Sequence, residues 1–364
     1  MVPNLRFTNN QLKDFKIVDI CKLKQGNQYD LKQQFTEEKS DLKRFIRIID
    51  YTQKTNDIRY VYSNGSENYV DCTDVVVVRY GASAGYVGRG INGIIANNLF
   101  TIRPINSALL NKSYLYHYLN APVIQKQLNN TQSSGMPALN FQTINNLHIL
   151  LPEYQEQRQI AVFLDKIDER IQTQIKIIDS YFSLSKAISN TLIGQSKGNT
   201  RLRECLNCYS SNTMESVIKQ EDLGDYPVYG ANGIIKKINN YEIEYPSIAI
   251  VKDGSGVGKM FKLSGKYSIL STLNYLTSKP GYDIDYIYYA LKQKSLKKYV
   301  VGSGIPHIYF KDYEQEKIYI PQNELQQQNI TSVLQSIDEE IGNEIKQLKN
   351  YELLKKYLLK NMFV

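Results

Sequence analysis

The chain has 364 residues, which at about 150 residues per domain suggests two domains. It carries 44 Lys and Arg against 36 Asp and Glu, a net charge of +8, and its 42% of hydrophobic residues excludes wholesale disorder. No apolar run approaches the roughly 18 residues that span a bilayer, no signal-peptide core is present, and four cysteines without such a signal make no disulfide framework. We therefore expect a soluble, cytoplasmic protein whose mildly basic charge favours anionic partners.

Two prolines, Pro152 and Pro321, and a Gly-Asn pair near residue 198 divide the chain into segments of different charge. The first and third segments carry net charges of +6 and +3, whereas the second and fourth carry 0 and −1. This distribution is expected if the first and third segments bind a polyanion and the others do not. The predicted boundaries are 1–152, 153–198, 199–321 and 322–364.

The second and fourth segments are predicted to be long helices. Apolar residues recur at steps of three and four, and about 38 residues at a rise of 1.5 Å give a helix roughly 55–60 Å long. A helix of that length with one apolar stripe needs a partner of the same kind, so we predict that the two helices pack on each other. The alternative is that each helix lies on its own domain. The predicted packing positions are Ile160, Leu164, Ile167, Ile171, Ile330, Leu334, Ile337 and Ile341.

The chain is an internal repeat. With an offset of 170 residues, the second segment aligns with the fourth, so that Ile160 meets Ile330 and Leu164 meets Leu334. The globular segments align more faintly. VVVVRYGASAG resembles IAIVKDGSGVG, and SGMPALNF resembles SGIPHIYF, which predicts a buried strand and a glycine-rich loop in each. We infer that the two helices have the same role and that the two globules perform two versions of one function.

No catalytic or metal-binding constellation is complete in this sequence. The glycine-rich stretch 254–259 looks like a phosphate cradle, but Asp253 and Met260 stand where a Walker A loop needs Gly and Ser or Thr. The pair Cys205 and Cys208 lacks the further ligands that zinc requires. A methyltransferase cofactor motif is also missing. We therefore expect no catalytic residue, no metal and no cofactor on this chain.

Residues suited to binding DNA are better represented. Asn and Gln pair with adenine, Arg and Lys with guanine, and lysines and hydroxyls contact phosphates. Polar, glycine-rich stretches of the first and third segments carry such residues, and each of them has a solvated loop position as its alternative. The predicted DNA-binding residues are Arg79, Ser83, Arg89, Asn97, Asn98, Gln132, Ser133, Ser134, Tyr226, Tyr229, Asn232, Lys236, Lys237, Lys252, Ser255, Lys259, Ser303 and His307.

These stretches resemble a known family, the specificity (S) subunits of type I restriction-modification systems. PNLRF at the start, YPVYGANGII with PSIAIVKDGSGVGK, and the SG-x-P loops are similar to its target-recognition domains. The repeated helices, with P…EQ…I…L…IDE.I, are similar to its conserved regions. The resemblance covers essentially the whole chain. The absence of tryptophan and the less regular stretch from Cys205 to Ser211 depart from the family pattern.

The resemblance implies an α+β fold with two mixed α/β target-recognition domains, 1–152 and 199–321. They would be separated by two long helices, 153–198 and 322–364, which form an antiparallel coiled coil with a pseudo-twofold internal repeat. Each domain would read one half of an asymmetric bipartite target in double-stranded DNA, and the helices would set the spacing.

The resemblance also implies partners. The helices would dock two methylation (M) subunits that bind S-adenosylmethionine, and restriction (R) subunits with ATP and Mg²⁺ would join for cleavage. Two alternatives remain. One is a coiled-coil scaffold whose globular domains bind protein instead of DNA, and the other is a self-contained methyltransferase or nuclease.

Overall fold

The computed structural model describes residues 5–7, 11–53, 56–129, 137–218 and 224–363. The chain divides into two units, one formed by residues 1–175 and 346–364 and the other by residues 176–345. Each long helix contributes residues to both units, because the division follows packing and not chain order. Among the described helices, none has the length and apolar content needed to cross a membrane.

The first unit contains two four-stranded sheets and a two-stranded ribbon among its described residues. The ribbon pairs β1 with β10, one sheet has the order β2-β9-β6-β7, and the other has the order β4-β3-β8-β5. All pairs are antiparallel except β3 with β8. The strands are β1 (Lys13–Lys16), β2 (Cys21–Gln25), β3 (Leu42–Ile46), β4 (Arg59–Tyr62), β5 (Tyr69–Val70), β6 (Val75–Val78), β7 (Val87–Gly88), β8 (Gly93–Ile95), β9 (Leu99–Pro104) and β10 (His148–Leu151).

The ends of the helices in this unit follow local chemistry. The Asn111 side chain accepts hydrogen bonds from the first N–H groups of α3, and Pro122 occupies the first turn of α4, where its missing N–H costs nothing. The valines of β6 are all buried, as expected for a strand covered on both faces. The helices are α1 (Ile17–Ile20), α2 (Ile48–Thr52), α3 (Lys112–Leu119), α4 (Pro122–Leu128), α5 (Phe141–Asn145) and α6 (Tyr154–Ser189), which is followed by a π-helical turn, Asn190–Gly194.

The second unit repeats this topology. Its sheet β12-β18-β15-β16 matches β2-β9-β6-β7, and the pair of β11 with β19 matches that of β1 with β10. Its sheet β14-β13-β17 matches β4-β3-β8, including the parallel pair, and among the described residues has no counterpart of β5. The strands are β11 (Thr200–Arg201), β12 (Leu206–Ser210), β13 (Tyr226–Gly230), β14 (Gly233–Ile238), β15 (Ser247–Val251), β16 (Met260–Leu263), β17 (Ser268–Ile269), β18 (Leu273–Ser278) and β19 (Lys317–Ile318), and the helices are α7 (Leu202–Cys205), α8 (Ile284–Lys292), α9 (Phe310–Tyr313) and α10 (Glu324–Met362). The predicted α+β fold with an internal repeat is confirmed.

The repeat extends to the entry of each long helix. The Gln157 side chain donates a hydrogen bond to the carbonyl of Pro152 at 3.0 Å, and Gln327 donates to the carbonyl of Pro321 at 2.9 Å. Both glutamines are buried. Each boundary proline is therefore tied to the first turns of the helix that follows it, which explains why the helix starts are so alike.

In the first unit, α6 and α10 run antiparallel. Gln347 donates a hydrogen bond to Gln174 at 3.2 Å, and Lys355 forms an ion pair with Asp168, so residue numbers rise along one helix as they fall along the other. The apolar stripe of α6 shares one core with the last turns of α10, and this core also includes strands of the first globule. From the helices it takes Ile160, Leu164 and Ile167 of α6 together with Leu358, Leu359 and Met362 of α10.

In the second unit, the end of α6 and the start of α10 share the core of the second globule. Ile188 and Ile193 join Ile330 and Leu334 there. Ile341 is buried, and Ile171 and Ile337 are half-buried. The prediction that the helices pack on each other is confirmed. Each helix also packs on a globular domain. The apolar stripe therefore serves both contacts that the sequence pattern leaves as alternatives.

Leu164 and its repeat mate Leu334 are both 0% exposed, which predicts a matched pair of local destabilisations. Leu164→Ala should destabilise the first unit, and Leu334→Ala the second, each by about 2–5 kcal/mol, because truncation of a fully buried leucine leaves a cavity. Hydrogen exchange read separately for each unit measures the effect.

The control is Val162→Ala, since Val162 is 51% exposed on the same helix and should change the free energy of unfolding by less than about 0.5 kcal/mol. Equal effects of Val162→Ala and Leu164→Ala would contradict the placement of the stripe.

Candidate nucleic-acid interface

In the first unit, Arg79 follows β6 and its backbone is fixed on both sides. Its N–H donates to the carbonyl of Asn98 at 2.9 Å, and its carbonyl accepts from the N–H of Leu139 at 2.8 Å. Arg79 is therefore held between the turn that precedes β9 and the segment that precedes α5. This is the end of one of the two inner strands of the sheet β2-β9-β6-β7.

The Arg79 side chain lies on aromatic rings. Its guanidinium carbon is 4.3 Å from the centroid of the Phe141 ring and 4.8 Å from that of Tyr80, and its Nη1 donates to Oε1 of Gln25 at 2.8 Å. These contacts fix the plane of the guanidinium.

The predicted residues Asn97 and Asn98 lie beside this arginine. Gln25 donates a hydrogen bond to the backbone carbonyl of Asn97 at 2.6 Å, and the Asn97 amide donates to Gln28 at 3.0 Å. The Oδ1 atom of Asn98 is buried without a hydrogen-bond partner among the described residues. The strand ends thus bring Arg79, Asn97 and Asn98 together, as the sequence suggests.

A glycine-rich loop follows Arg79, and the second unit contains the same loop. Gly81 and Gly254 have φ angles of 90° and 91°, a conformation that favours glycine. Their N–H groups donate to the carbonyls of Pro137 and Pro306, both at 2.9 Å. The loops close identically, because the N–H groups of Gly85 and Gly258 return to the last residue of β6 and of β15 at 2.9 Å. Ser83 is half-buried and Ser255 exposed within these loops.

Lys252 occupies the place in the second unit that Arg79 has in the first. Its N–H donates to the carbonyl of Thr272 at 2.9 Å, and its carbonyl accepts from the N–H of Ile308 at 2.9 Å. A backbone bridge pairs Asp253 with His307, as another pairs Tyr80 with Ala138. The faint alignment of the globules is therefore a true structural equivalence.

The hairpin β13–β14 approaches this loop. The Lys259 ammonium donates to Oδ1 of Asn232, in the hairpin turn, at 3.1 Å. Lys237 is exposed on β14 and Lys236 is half-buried. The turn and the loop, which are distant in the sequence, thus form one polar surface.

The two predicted tyrosines, Tyr226 and Tyr229, pack against other tyrosine rings. Tyr226 packs edge-on against Tyr241 and Tyr229 against Tyr267, with ring centroids 4.9 and 6.0 Å apart, and both predicted residues are half-buried. These contacts make them supports of the hairpin more than free stacking platforms.

The remaining predicted residues fall into two groups. Ser303 is exposed in the turn before His307, whose Nδ1 lies 3.3 Å from the carbonyl of Ile305. Gln132, Ser133 and Ser134 lie outside the described residues.

Arg89 contacts the long helix α6. Its guanidinium forms an ion pair with Asp165 of α6 at 2.5 Å, donates to Ser113 at 2.6 Å and lies 3.9 Å from the ring centroid of Tyr116. These contacts join the globule to the long helix. The ion pair gives Arg89 a structural role, and its predicted contact with DNA stays a prediction.

Asp165 is the centre of this cluster. Burial by itself would raise the pKa of its carboxyl, but hydrogen bonds from His117, Arg89 and Ser113 outweigh burial and hold the pKa well below its usual range. His117 is 0% exposed, and its Nε2 lies 2.8 Å from Oδ1 of Asp165. Burial lowers the pKa of His117, so the neutral ring with Nε2 protonated is the form that fits this contact.

Among the described residues, His117, Asp165 and Asp168 form one group with ligand atoms close enough to share a metal ion. Both carboxylates already face cations, since Arg89 contacts Asp165 and Lys355 contacts Asp168. The donor set therefore favours an internal ion-pair network over a divalent cation.

The cysteine pair is also poorly suited to metal. Burial raises the pKa of the Cys205 thiol to about 12 and that of Cys208 to about 11, so both remain protonated at neutral pH.

Sequence reasoning missed Gln25 and Phe141, which position Arg79. Gln25 is 54 residues away in the sequence, and only the register of β2 beside β9 brings it near. The aromatic residue at the end of SGMPALNF is the one signal that the sequence offered.

The chain matches the model of the type I restriction modification DNA specificity domain twice, over residues 9–179 and 200–350. The chain therefore belongs to this family and contains two copies of its domain. The two copies agree with the repeat that the strand orders and the strand-end loops display.

A curated relative is the specificity subunit of the type I restriction enzyme MjaVIII from Methanocaldococcus jannaschii. The two are 34% identical over 169 residues, which is 43% of this chain and 39% of that subunit. The chain thus matches about two fifths of the length of this relative.

Solved structures share the fold. An S subunit of a type I restriction-modification system from M. genitalium matches with a TM-score of 0.70 at 18% identity, over 100% of this chain and 99% of that one. A chain from a structure described as the basis of complex assembly and conformational transition of the type I R-M system matches with a TM-score of 0.53 at 14% identity, over 97% of both chains. At these identities the likeness concerns the fold alone.

The buried His117 predicts a dependence of stability on pH. Its pKa is lower in the folded protein than the usual value of about 6.5, so the unfolded chain binds more protons as the pH falls from 7 to 5, and the folded state loses stability. His117→Gln should flatten this decline by at most about 1.4 kcal/mol per pH unit, the limit for one proton. Denaturation at several pH values, with hydrogen exchange of α3 as the readout, measures it.

The matched control is Tyr289→Phe, because Tyr289 holds the equivalent place on α8 and donates to Asp338 at 3.0 Å. That variant should leave the slope between pH 7 and 5 unchanged. An unchanged slope in His117→Gln would contradict the neutral buried histidine.

Proposed function

We propose that this chain is the DNA-specificity subunit of a type I restriction-modification complex. Each globular domain reads one half of a bipartite DNA target, and the halves differ. The observation that carries the proposal is the strand-end loop, which has the same backbone hydrogen bonds in both domains but different side chains. A common backbone with variable side chains suits two domains that read different sequences by one docking geometry.

Charge supports the proposal. The two globular segments hold the whole excess of positive charge, whereas the two helical segments are neutral or slightly acidic. Phosphate contacts by lysine and arginine supply much of the affinity of proteins for DNA. Lys237 and Lys259 are exposed cations on the second globule.

We propose that the long helices set the distance between the half-sites and dock two methylation subunits. In the first unit Phe163 and Leu354 are 40% and 45% exposed, and in the second unit Val333 and Leu184 are 45% and 47% exposed. Val333 is the repeat mate of Phe163, and Leu354 that of Leu184. Equivalent apolar positions in both units favour two copies of one partner, because exposed apolar residues at matched places are typical of interaction sites.

The proposal assigns no chemistry to this chain. Methylation with S-adenosylmethionine belongs to the methylation subunits, and cleavage with ATP and Mg²⁺ to restriction subunits where these are present. The specificity subunit itself contributes binding and assembly, in the cytoplasm where chromosomal DNA is accessible. The runner-up function is a coiled-coil scaffold whose globular domains bind protein.

A domain exchange tests the division of labour. When residues 199–321 are replaced by the corresponding domain of a relative, the methylated-adenine motif found by methylome sequencing should change in one half only. The other half should keep its bases, because the first domain is untouched.

An exchange of residues 1–152 is the matched control and should change the opposite half. A motif that changes in both halves after either exchange, or in neither, would sink the proposal.

Salt dependence separates DNA reading from the scaffold alternative. A protein that contacts about six phosphates loses roughly 10³-fold in DNA affinity between 50 and 200 mM salt, with a slope near −0.9 per contact. Fluorescence anisotropy of a labelled duplex with the complex of this chain and its methylation subunits should show such a slope. A complex that binds no duplex at the lower salt concentration would favour the scaffold.

A further inference from the structure

The arginines of the first globule differ in whether a carboxylate neutralises their charge. Residues 5–151 contain seven arginines, and six of them form ion pairs with carboxylates at distances from 2.5 to 3.6 Å. These six are Arg6, Arg44, Arg47, Arg59, Arg89 and Arg103. Arg79 forms no ion pair with any carboxylate of the described residues.

Arg79 is nevertheless held in place. Its guanidinium lies on Phe141 and Tyr80, and Gln25 accepts one hydrogen bond from Nη1. All three partners are uncharged, so the arginine keeps its full positive charge while its plane is fixed. A mobile surface arginine would lose side-chain entropy when it bound an anion, and this one has already lost much of it.

The second domain places a cation at the same point. Lys252 has the backbone hydrogen bonds of Arg79, with Thr272 in the place of Asn98 and Ile308 in that of Leu139. Lys252 also forms no ion pair with a described carboxylate. Two domains that have diverged widely thus keep an unneutralised cation at one strand end, beside the same glycine loop.

We propose that residues 79 and 252 are the matched target-reading positions of the two domains and that Arg79 reads a guanine. The proposal rests on the proposed function. A guanidinium with a fixed plane presents two donors in a fork that matches O6 and N7 of guanine in the major groove. The ammonium of Lys252 carries three rotatable donors on a flexible stem and lacks a fixed fork, so it offers its half-site a different selectivity.

A contact with phosphate is the competing role for Arg79, and the chemistry distinguishes the two. A phosphate contact needs charge and tolerates lysine, whereas discrimination of guanine by two parallel hydrogen bonds needs the fork. Arg79→Lys and Arg79→Gln therefore separate the roles when they are compared on sequence selectivity as well as on affinity.

The experiment uses the full chain in complex with the methylation subunits of its own system. The complex is mixed with a pool of duplexes of randomised sequence, and the bound duplexes are sequenced. The variants are Arg79→Gln, Arg79→Lys and Lys252→Arg. The control is Lys43→Gln, which removes an exposed charge of the same globule outside the proposed position.

The unchanged complex should enrich a bipartite motif with an invariant guanine in the half that the first domain reads. Arg79→Gln should lower the preference for that guanine by tenfold or more and leave the other half intact. Arg79→Lys should relax the same position while it retains most of the overall affinity. Lys252→Arg should alter the opposite half only, and Lys43→Gln should alter neither.

Two results would overturn the inference while the proposed function stands. In the first, Arg79→Gln leaves the motif unchanged and lowers the affinity for all sequences equally, which would make Arg79 a phosphate contact. In the second, Arg79→Gln changes neither the motif nor the affinity, which would remove Arg79 from the interface. If the original complex enriches no motif at all, the proposed function itself fails and this inference fails with it. Thermal unfolding of each variant confirms that the motif is read by folded protein.

Discussion

The apolar stripe of the long helices is the constraint on which the rest depends. Leu164 in the first unit and Leu334 in the second are wholly buried, and each belongs to a core that includes the strands of its own globule. A rotation of either helix about its axis would therefore remove apolar contacts with both the partner helix and the globule and expose the stripe to water. The same stripe residues join the two helices to each other and to the globules. A short apolar repeat that occurs twice in the sequence can therefore specify much of the fold.

The two copies keep this frame and vary what lies beside it. Around α3 the polar cluster is built from Arg89, His117 and Asp165, whereas around α8 Tyr289 donates to Asp338 and Lys262 pairs with Asp285. Both clusters join a globule to a long helix. One contains a titratable imidazole and the other a phenol, so we expect the stability of the two halves to respond differently to acid.

Much of the fold was readable from the sequence, because helical periodicity and valine-rich strands are local signals. The long helices and the strand at 75–78 lie where the patterns predict them. The contacts of individual polar side chains could not be predicted from the sequence. Arg89 looked like a surface cation, and only the packing of α3 on α6 brings Asp165 to it. Contacts of this kind depend on side chains 76 residues apart, which no local pattern reports.

Under the proposed function, the strand-end loops explain how a duplicated DNA reader would change its target without loss of its fold. The hydrogen bonds that hold the main chain at residues 79 and 252 are made by backbone atoms, which any residue except proline supplies. The side chain at that point contributes nothing to the ladder of the sheet, so substitution there leaves the strand, the loop and the core intact. Selection on sequence preference then acts on one side chain at a time. Because Gln25 and Phe141 orient the Arg79 side chain, we expect a change of preference in the first domain to require these supports to change with it. In the second domain, no hydrogen bond, ion pair or ring contact among the described residues orients the Lys252 side chain.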